Sequence, residues 1–206
     1  MLNPVWKGLK MAGLNPNSAR HLIVSNHLSY LDVLVISSWL PASFVTSMEV
    51  RKTPFLGKIC LYAGSLFVER RHASSVRTDA QDLSRNLKSG INVAVFPEAT
   101  STDGSCVRPF KRGLLTAAKL SGVDILPVCN NYTHIDGQPI DHKNRDVVFY
   151  YGEMNFFPHF IRLLRARSVS VELKVLDHVA AYHPDPAYEP TELAFQRVQG
   201  AYLPVM

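Results

Sequence analysis

Residues 21–40 read HLIVSNHLSYLDVLVISSWL. The run Leu22-Ile23-Val24, rich in β-branched residues, reads as a strand over His21 to Ser25. The stretch from Tyr30 to Leu40 reads as a short helix that Pro41 brings to an end. A strand feeding a helix through a brief polar loop is the unit of a parallel sheet, and the rest of the chain repeats it. Ser43 to Thr46 and Ser65 to Val68 read as strands, with a helical stretch after Pro54 between them. Val76, Ala80, Leu83 and Leu87 fall at helical spacing, and Gly90 sits where that helix should stop. Ile91 to Phe96 is a strand, Lys111 to Leu120 a helix closed by Gly122, and Ile125 to Cys129 and Val147 to Tyr151 further strands. Phe156 to Arg167 reads as an apolar and basic helix. Val169, Val171, Leu173 and Val175 alternate with polar residues as one strand face. The expected fold is therefore α/β: a single domain over residues 1–206, with a largely parallel central sheet flanked by helices. Residues 1–19 are a short leading segment, and residues 184–206 a Pro-rich tail with a last short helix near Leu193.

In such sheets, sites gather where strands run out into loops. His27, Glu69, Arg70 and Glu98 stand at three such junctions. Residues 26–32, NHLSYLD, hold His27 and Asp32 five positions apart. Ser29 and Asp32 also form the S-x-x-D pattern of a helix capping box, in which Asp32 serves the first helical turn and His27 is an ordinary loop residue. The same spacing lets the Asp32 carboxylate reach one imidazole nitrogen and leave the other as a base. No G-x-S-x-G elbow supplies a nucleophile, and Ser25 is too near His27 along the strand. A base and its orienter without a protein nucleophile suggest a hydroxyl that belongs to the substrate.

Composition narrows the partners. The 206 residues are 47% hydrophobic and 19% charged, with a net charge of +5; the pI is near 9.2 and the mean hydropathy +0.01. The chain is globular, and its basic balance favours anionic partners. No recognition helix, stacking-aromatic motif or charge stripe points to nucleic acid. Cys60, Cys106 and Cys129 have no C-x-x-C spacing. They read as small buried or half-buried thiols in a reducing compartment. No histidine spacing suggests a metal site, no signal peptide is visible, and no run approaches the roughly 18 apolar residues of a span.

The NHLSYLD stretch resembles the N-H-x-S-x-x-D block of the glycerolipid acyltransferases, the family of 1-acyl-glycerol-3-phosphate and lysophospholipid acyltransferases. Three further blocks follow in order. Gly64-Ser65-Leu66-Phe67-Val68-Glu69-Arg70 is similar to G-x-x-F-I-D-R. Phe96-Pro97-Glu98-Ala99-Thr100-Ser101 is similar to F-P-E-G-T-R, and Ile125-Leu126-Pro127-Val128 to the apolar fourth block. The likeness runs from about residue 20 to about residue 180. It implies transfer of an acyl group from acyl-CoA or acyl-carrier protein to a lysolipid hydroxyl, with no other cofactor. His27 would be the general base and Asp32 its holder. Arg70 would grip an acceptor phosphate through its guanidinium fork, and Glu69, Glu98, Ala99, Thr100 and Ser101 would lie around the acceptor. For Glu98 the bland role is a buried carboxylate that ties loops together through backbone N–H groups.

The departures bear on the acceptor. Glu69 replaces Asp. Ala99 replaces Gly at a turn. Ser101 replaces Arg and removes a second guanidinium, unless Arg71, Arg108, Lys111 or Arg112 substitutes. This motivates two alternatives: an acceptor without phosphate, such as a lyso-aminolipid, and a non-catalytic lipid-binding protein of the same fold. The expected location is peripheral, on the cytoplasmic face of an anionic membrane. The helix from Phe156, with Arg162, Arg165 and Arg167, either lies on that bilayer or packs its apolar side on the sheet. The second is the expectation for a helix in a globular domain. Pro4, Gly8 and Gly13 make the leading segment poor material for a span.

Overall fold

The structure, a computed structural model, describes residues 2–6, 20–53, 56–62, 64–69 and 75–206. Its centre is the strand β2 (Leu22–Ser25), buried on both faces, as a continuous apolar run in a parallel sheet must be. β2 pairs in parallel with β5 (Val93–Val95) on one side and β6 (Ile125–Ile135) on the other. Beyond β5 come β3 (Ser43–Ser47) and β4 (Leu66–Val68), both parallel. Beyond β6 comes β8 (Val169–Val175), which runs antiparallel to β6, and then β1 (Leu2–Trp6), parallel to β8. The short strand β7 (Gln138–Pro139) turns back on β6. The order β1-β8-β6-β2-β5-β3-β4 is a largely parallel sheet, as expected. The helices are α1 (Leu31–Trp39), α2 (Met48–Lys52), α3 (Leu56–Tyr62), α4 (Val76–Lys88), α5 (Arg112–Ser121), α6 (Phe156–Leu164) and α7 (Pro190–Ala201). α4 packs on α5. Gly122 caps α5 with φ 72°, the left-handed conformation that glycine adopts without strain.

Pro127 lies inside the central strand β6, where a missing N–H ought to break a ladder bond. Its carbonyl accepts from Leu176 N–H at 3.0 Å, so its nitrogen faces the end of β8. The β6–β8 ladder begins one residue later, at Val128↔Val175, and the missing donor interrupts nothing there.

Four points correct or extend the expectations. Val147 to Tyr151 is no strand: a 3-10 turn covers Arg145–Val147. The run is apolar because Val148 and Phe149 are fully buried, but its backbone bonds run to Leu28, through Tyr150 N–H, and to His159. A short apolar run does not reveal which partner its backbone takes. Second, β6 continues past Cys129 to Ile135, through the buried Asn130 and Asn131. Third, the last helix expected near Leu193 is present as α7, which has twelve residues and buries Ala194 and Val198 in the core. Fourth, Cys106 is exposed, although Cys60 is half-buried and Cys129 buried. The leading segment contributes β1; Gly8 and Gly13 lie outside the described residues.

Candidate active site

β2 ends at Ser25, and Ser25 and the following Asn26 are fully buried at the sheet's C-terminal edge. Asn26 locks that edge: its amide donates to Asn130 O at 2.9 Å, and its Oδ1 accepts from Asn130 N–H at 2.8 Å. The chain then turns through His27 into α1. Asp32, in the first turn of α1, is completely buried, and four donors converge on it. His27 Nδ1, Leu28 N–H and Ser29 N–H donate to Oδ2 at 2.9, 2.8 and 3.0 Å. Tyr132 Oη, from β6, donates to Oδ1 at 2.8 Å. Ser29 Oγ in turn accepts from Leu31 N–H at 3.3 Å. The capping role and the His-holding role therefore coexist in one carboxylate.

This donor set assigns the ring proton of His27 to Nδ1 and leaves a lone pair on Nε2. The imidazole is 22% exposed beside a carboxylate that is 0% exposed, so the base is reachable and its orienter is not. Phe96 stacks on the ring with centroids 4.1 Å apart and planes 14° apart. The His27 backbone is pinned on both sides. Its N–H donates to Glu98 Oε1 at 2.7 Å, and its carbonyl accepts from Thr102 N–H at 2.9 Å.

Glu98 spans two loops. Its other oxygen, Oε2, accepts from Arg108 N–H at 2.7 Å. Burial pushes this carboxyl up to about 7, against the two backbone donors that favour its charged form. With both oxygens bonded to backbone, Glu98 ties the loops of the first and third sequence blocks together. Ala99 follows with φ 62°, a left-handed conformation in which its Cβ is strained. Thr100 is exposed, and its hydroxyl donates to Ser101 O. The Ser101 hydroxyl donates to Tyr150 O, so it braces the neighbouring loop. Glu69 and Lys111 border an apolar groove with Phe96, Pro97, Ala99 and Leu114. Phe96 is shared between that groove and the His27 ring; His27 itself does not line it. Arg112 pairs with Glu189 at 3.3 Å, while the exposed Lys111 borders the groove. Arg70 and Arg71 lie outside the described residues.

The sequence reading missed three features. Tyr132 carries no motif signal and reaches Asp32 only because β6 pairs beside β2. Tyr30, a variable position inside NHLSYLD, donates from its hydroxyl to Nδ1 of His159 on α6 at 2.9 Å, and Nε2 of His159 donates to Phe149 O at 3.0 Å. Burial pushes the Tyr30 phenol up to about 12 and pulls the His159 ring down, so both are neutral partners. Third, α6 has apolar residues on both faces: Phe156, Phe160 and Leu163 are half-buried beside the buried His159, while Phe157, Ile161 and Leu164 are exposed. The expectation that the helix packs an apolar side inward holds for Leu163, which meets the core, and not for the outer stripe. A helical period reports that two faces differ, but not which one finds a partner.

A base held by a buried carboxylate at the edge of a mostly parallel sheet, with no protein nucleophile in contact among the described residues, defines a class of group-transfer site. Residues 12–131 match the Acyltransferase family, and the chain belongs to that family. It is 32% identical over 182 residues to the lyso-ornithine lipid O-acyltransferase of Pseudomonas aeruginosa, covering 88% of this chain and 66% of the relative. It is 30% identical over 159 residues to the enzyme of the same name from Rhizobium meliloti, covering 74% and 54%. With the 1-acyl-sn-glycerol-3-phosphate acyltransferase of Neisseria gonorrhoeae it shares 33% identity over 118 residues, 57% of this chain and 46% of that one. The chain thus spans between about half and two thirds of the length of these relatives. The fold matches that of the 1-acyl-sn-glycerophosphate acyltransferase PlsC from Thermotoga maritima, with a TM-score of 0.63 at 20% identity, covering 97% of this chain and 70% of that one.

Proposed function

We propose that this protein is an O-acyltransferase that moves a fatty acyl group from a thioester, acyl-CoA or acyl-carrier protein, to the hydroxyl of a lysolipid. The observation that carries this reading is the His27–Asp32 pair, with Nε2 free and Asp32 saturated with donors. Nε2 takes the proton of the acceptor hydroxyl as its oxygen attacks the thioester carbonyl. The C–S bond breaks, the ester forms, and the proton passes from the imidazolium to the departing thiolate. Glu98 keeps the His27 backbone in place, and the groove beside Phe96 offers apolar walls to a lipid chain. The lyso-aminolipid acceptor is favoured over a phosphomonoester by two observations. Position 101 carries no guanidinium, and lyso-ornithine lipid O-acyltransferases align with as much as 88% of the chain. No helix among the described residues is long and apolar enough to cross a membrane. The net charge of +5 supports work on the lipid substrate at an anionic, cytoplasmic membrane face.

The test is release of thiol from acyl-CoA, and separately from acyl-carrier protein, with and without lysolipid. His27→Ala should abolish lysolipid-dependent release while leaving the fold intact, because its backbone bonds to Glu98 and Thr102 persist. Asp32→Asn should lower turnover by roughly 10²–10⁴-fold. Full activity in His27→Ala, or an acyl group trapped on Ser25 or Cys60 by mass spectrometry, would overturn the mechanism.

A further inference from the structure

Among the described residues, α6 is held from one side. Its inner face is fixed by His159, by Leu163 against the core, and by Phe156, whose ring meets that of Tyr30 at 5.3 Å. Its outer face carries Phe157, Ile161 and Leu164, at 60%, 49% and 62% exposure. These positions, i, i+4 and i+7, form one continuous stripe. Arg162 and Arg165 are exposed beside it; Arg162 also donates to Asp146 O at 3.3 Å. The exposed Glu153 is the acidic residue ahead of the helix. On α1, Leu34 lies one turn beyond Tyr30, on the same face, and is 54% exposed. An apolar stripe with cations alongside is the pattern of a helix lying in the headgroup layer of a bilayer.

We infer that α6 is the element by which this protein seats on an anionic bilayer, with Phe157, Ile161 and Leu164 entering the acyl boundary and Arg162 and Arg165 meeting lipid phosphates. The inference rests on the reading of the protein as a lysolipid acyltransferase at a membrane surface. Charge favours a bilayer over a second copy of this chain. A two-fold pairing through this stripe would bring the arginines of both copies together, and like charges oppose such a contact. Position favours it too. The Tyr30–His159 bond joins α6 to the loop that carries His27, so a seated α6 brings the bilayer up to the catalytic loop. A lysolipid then has a short path from membrane to base.

The experiment is co-sedimentation of the full chain with phosphatidylcholine vesicles, with and without phosphatidylglycerol. Phe157→Ser/Ile161→Ser/Leu164→Ser should weaken binding to the mixed vesicles by at least about tenfold, since the apolar insertion is lost. Arg162→Gln/Arg165→Gln should weaken it by roughly tenfold on mixed vesicles and leave phosphatidylcholine binding unchanged. Both proteins should keep wild-type turnover on a short-chain lysolipid that is dissolved rather than membrane-bound. Wild-type vesicle binding by the triple variant would overturn the inference. So would a wild-type dimer that the triple variant converts to monomer in sedimentation velocity, because the stripe would then cover a second copy. Absence of turnover on the dissolved substrate in the wild type would count against the proposed activity; the vesicle measurement decides the role of α6 independently.

Discussion

Asp32 is where four donors and one buried carboxylate meet, and each donor is separable by mutation. Tyr132→Phe removes only the hydroxyl on Oδ1. A hydrogen bond to a buried charge is worth about 1.5–3 kcal/mol, so urea denaturation should show a loss of that size. Turnover should fall while KM changes little, since Tyr132 steadies the orienter and does not line the groove. Glu98 makes a prediction of the opposite kind. Its folded value of about 7 lies above its ordinary 4.5, so between those values the folded state holds more protons than the unfolded one. Stability contributed by this group is complete below about pH 4.5 and declines as pH rises toward 7. Glu98→Gln should flatten that slope. It should also lower stability at pH 5, because an amide can accept from only one of the His27 and Arg108 N–H groups and turns a donor on the other. Thermal unfolding across pH 4–7 for both proteins is the measurement; a wild-type slope that survives in Glu98→Gln would assign it to another group. Ala99 is strained at φ 62°, and Ala99→Gly should stabilise by about 0.5–1 kcal/mol, read as a rise in Tm.

At the scale of elements, what the sequence disclosed depended on whether the signal was local. β2, α1, α4 and α5 were legible because their periods, the proline after α1 and the glycine after α5 are written in consecutive residues. The His27–Asp32 pair was legible for the same reason, five positions within one turn of chain. The Tyr132 contact was not, because it depends on which strand β2 takes as its neighbour. A last helix near Leu193 was legible as α7, but the bonds that its C-terminal end makes to distant loops were not. Tyr202 Oη donates to Gly104 O at 2.8 Å and Val205 N–H to the same carbonyl at 2.9 Å. Gly104 is required there, since a Cβ would stand 2.3 Å from the Phe149 ring. Asn131 Oδ1 accepts from Leu203 N–H at 2.8 Å, and its Nδ2 donates to Ala201 O at 3.2 Å. Asn131→Ala strands Leu203 N–H, while Ala201 O keeps the Lys174 ammonium at 3.0 Å, and should destabilise by about 2 kcal/mol, whereas Tyr202→Phe should cost about 1 kcal/mol because Val205 still serves Gly104. Urea midpoints at constant m-value distinguish the two.

For the whole molecule the open choice is the acceptor, and charge decides it. A surplus of five positive charges draws the protein toward anionic surfaces, but it cannot rank one lysolipid over another; that ranking belongs to the few cations that reach the head group. Position 101 sits on the loop next to Glu98 and spends its hydroxyl on Tyr150 O, so it has no charge of its own to offer an acceptor. A charge-assisted contact is worth about 1.5–3 kcal/mol when desolvated and less where water competes, so its absence changes kcat/KM by about tenfold or more. A phosphomonoester, with its concentrated charge, loses most from this, and a zwitterionic lyso-aminolipid loses least. The wild type should therefore show a higher kcat/KM for lyso-ornithine lipid than for lysophosphatidic acid. Ser101→Arg should shift the ratio toward lysophosphatidic acid by about tenfold, carried by KM, with some loss of stability from the broken bond to Tyr150. The panel is lyso-ornithine lipid, lysophosphatidic acid, a lysophosphodiester and glycerol 3-phosphate, each presented in the same mixed vesicles or detergent. A sharp wild-type preference for lysophosphatidic acid would mean that another cation, with Lys111 at the groove the first to test by Lys111→Gln, holds the phosphate in place of residue 101.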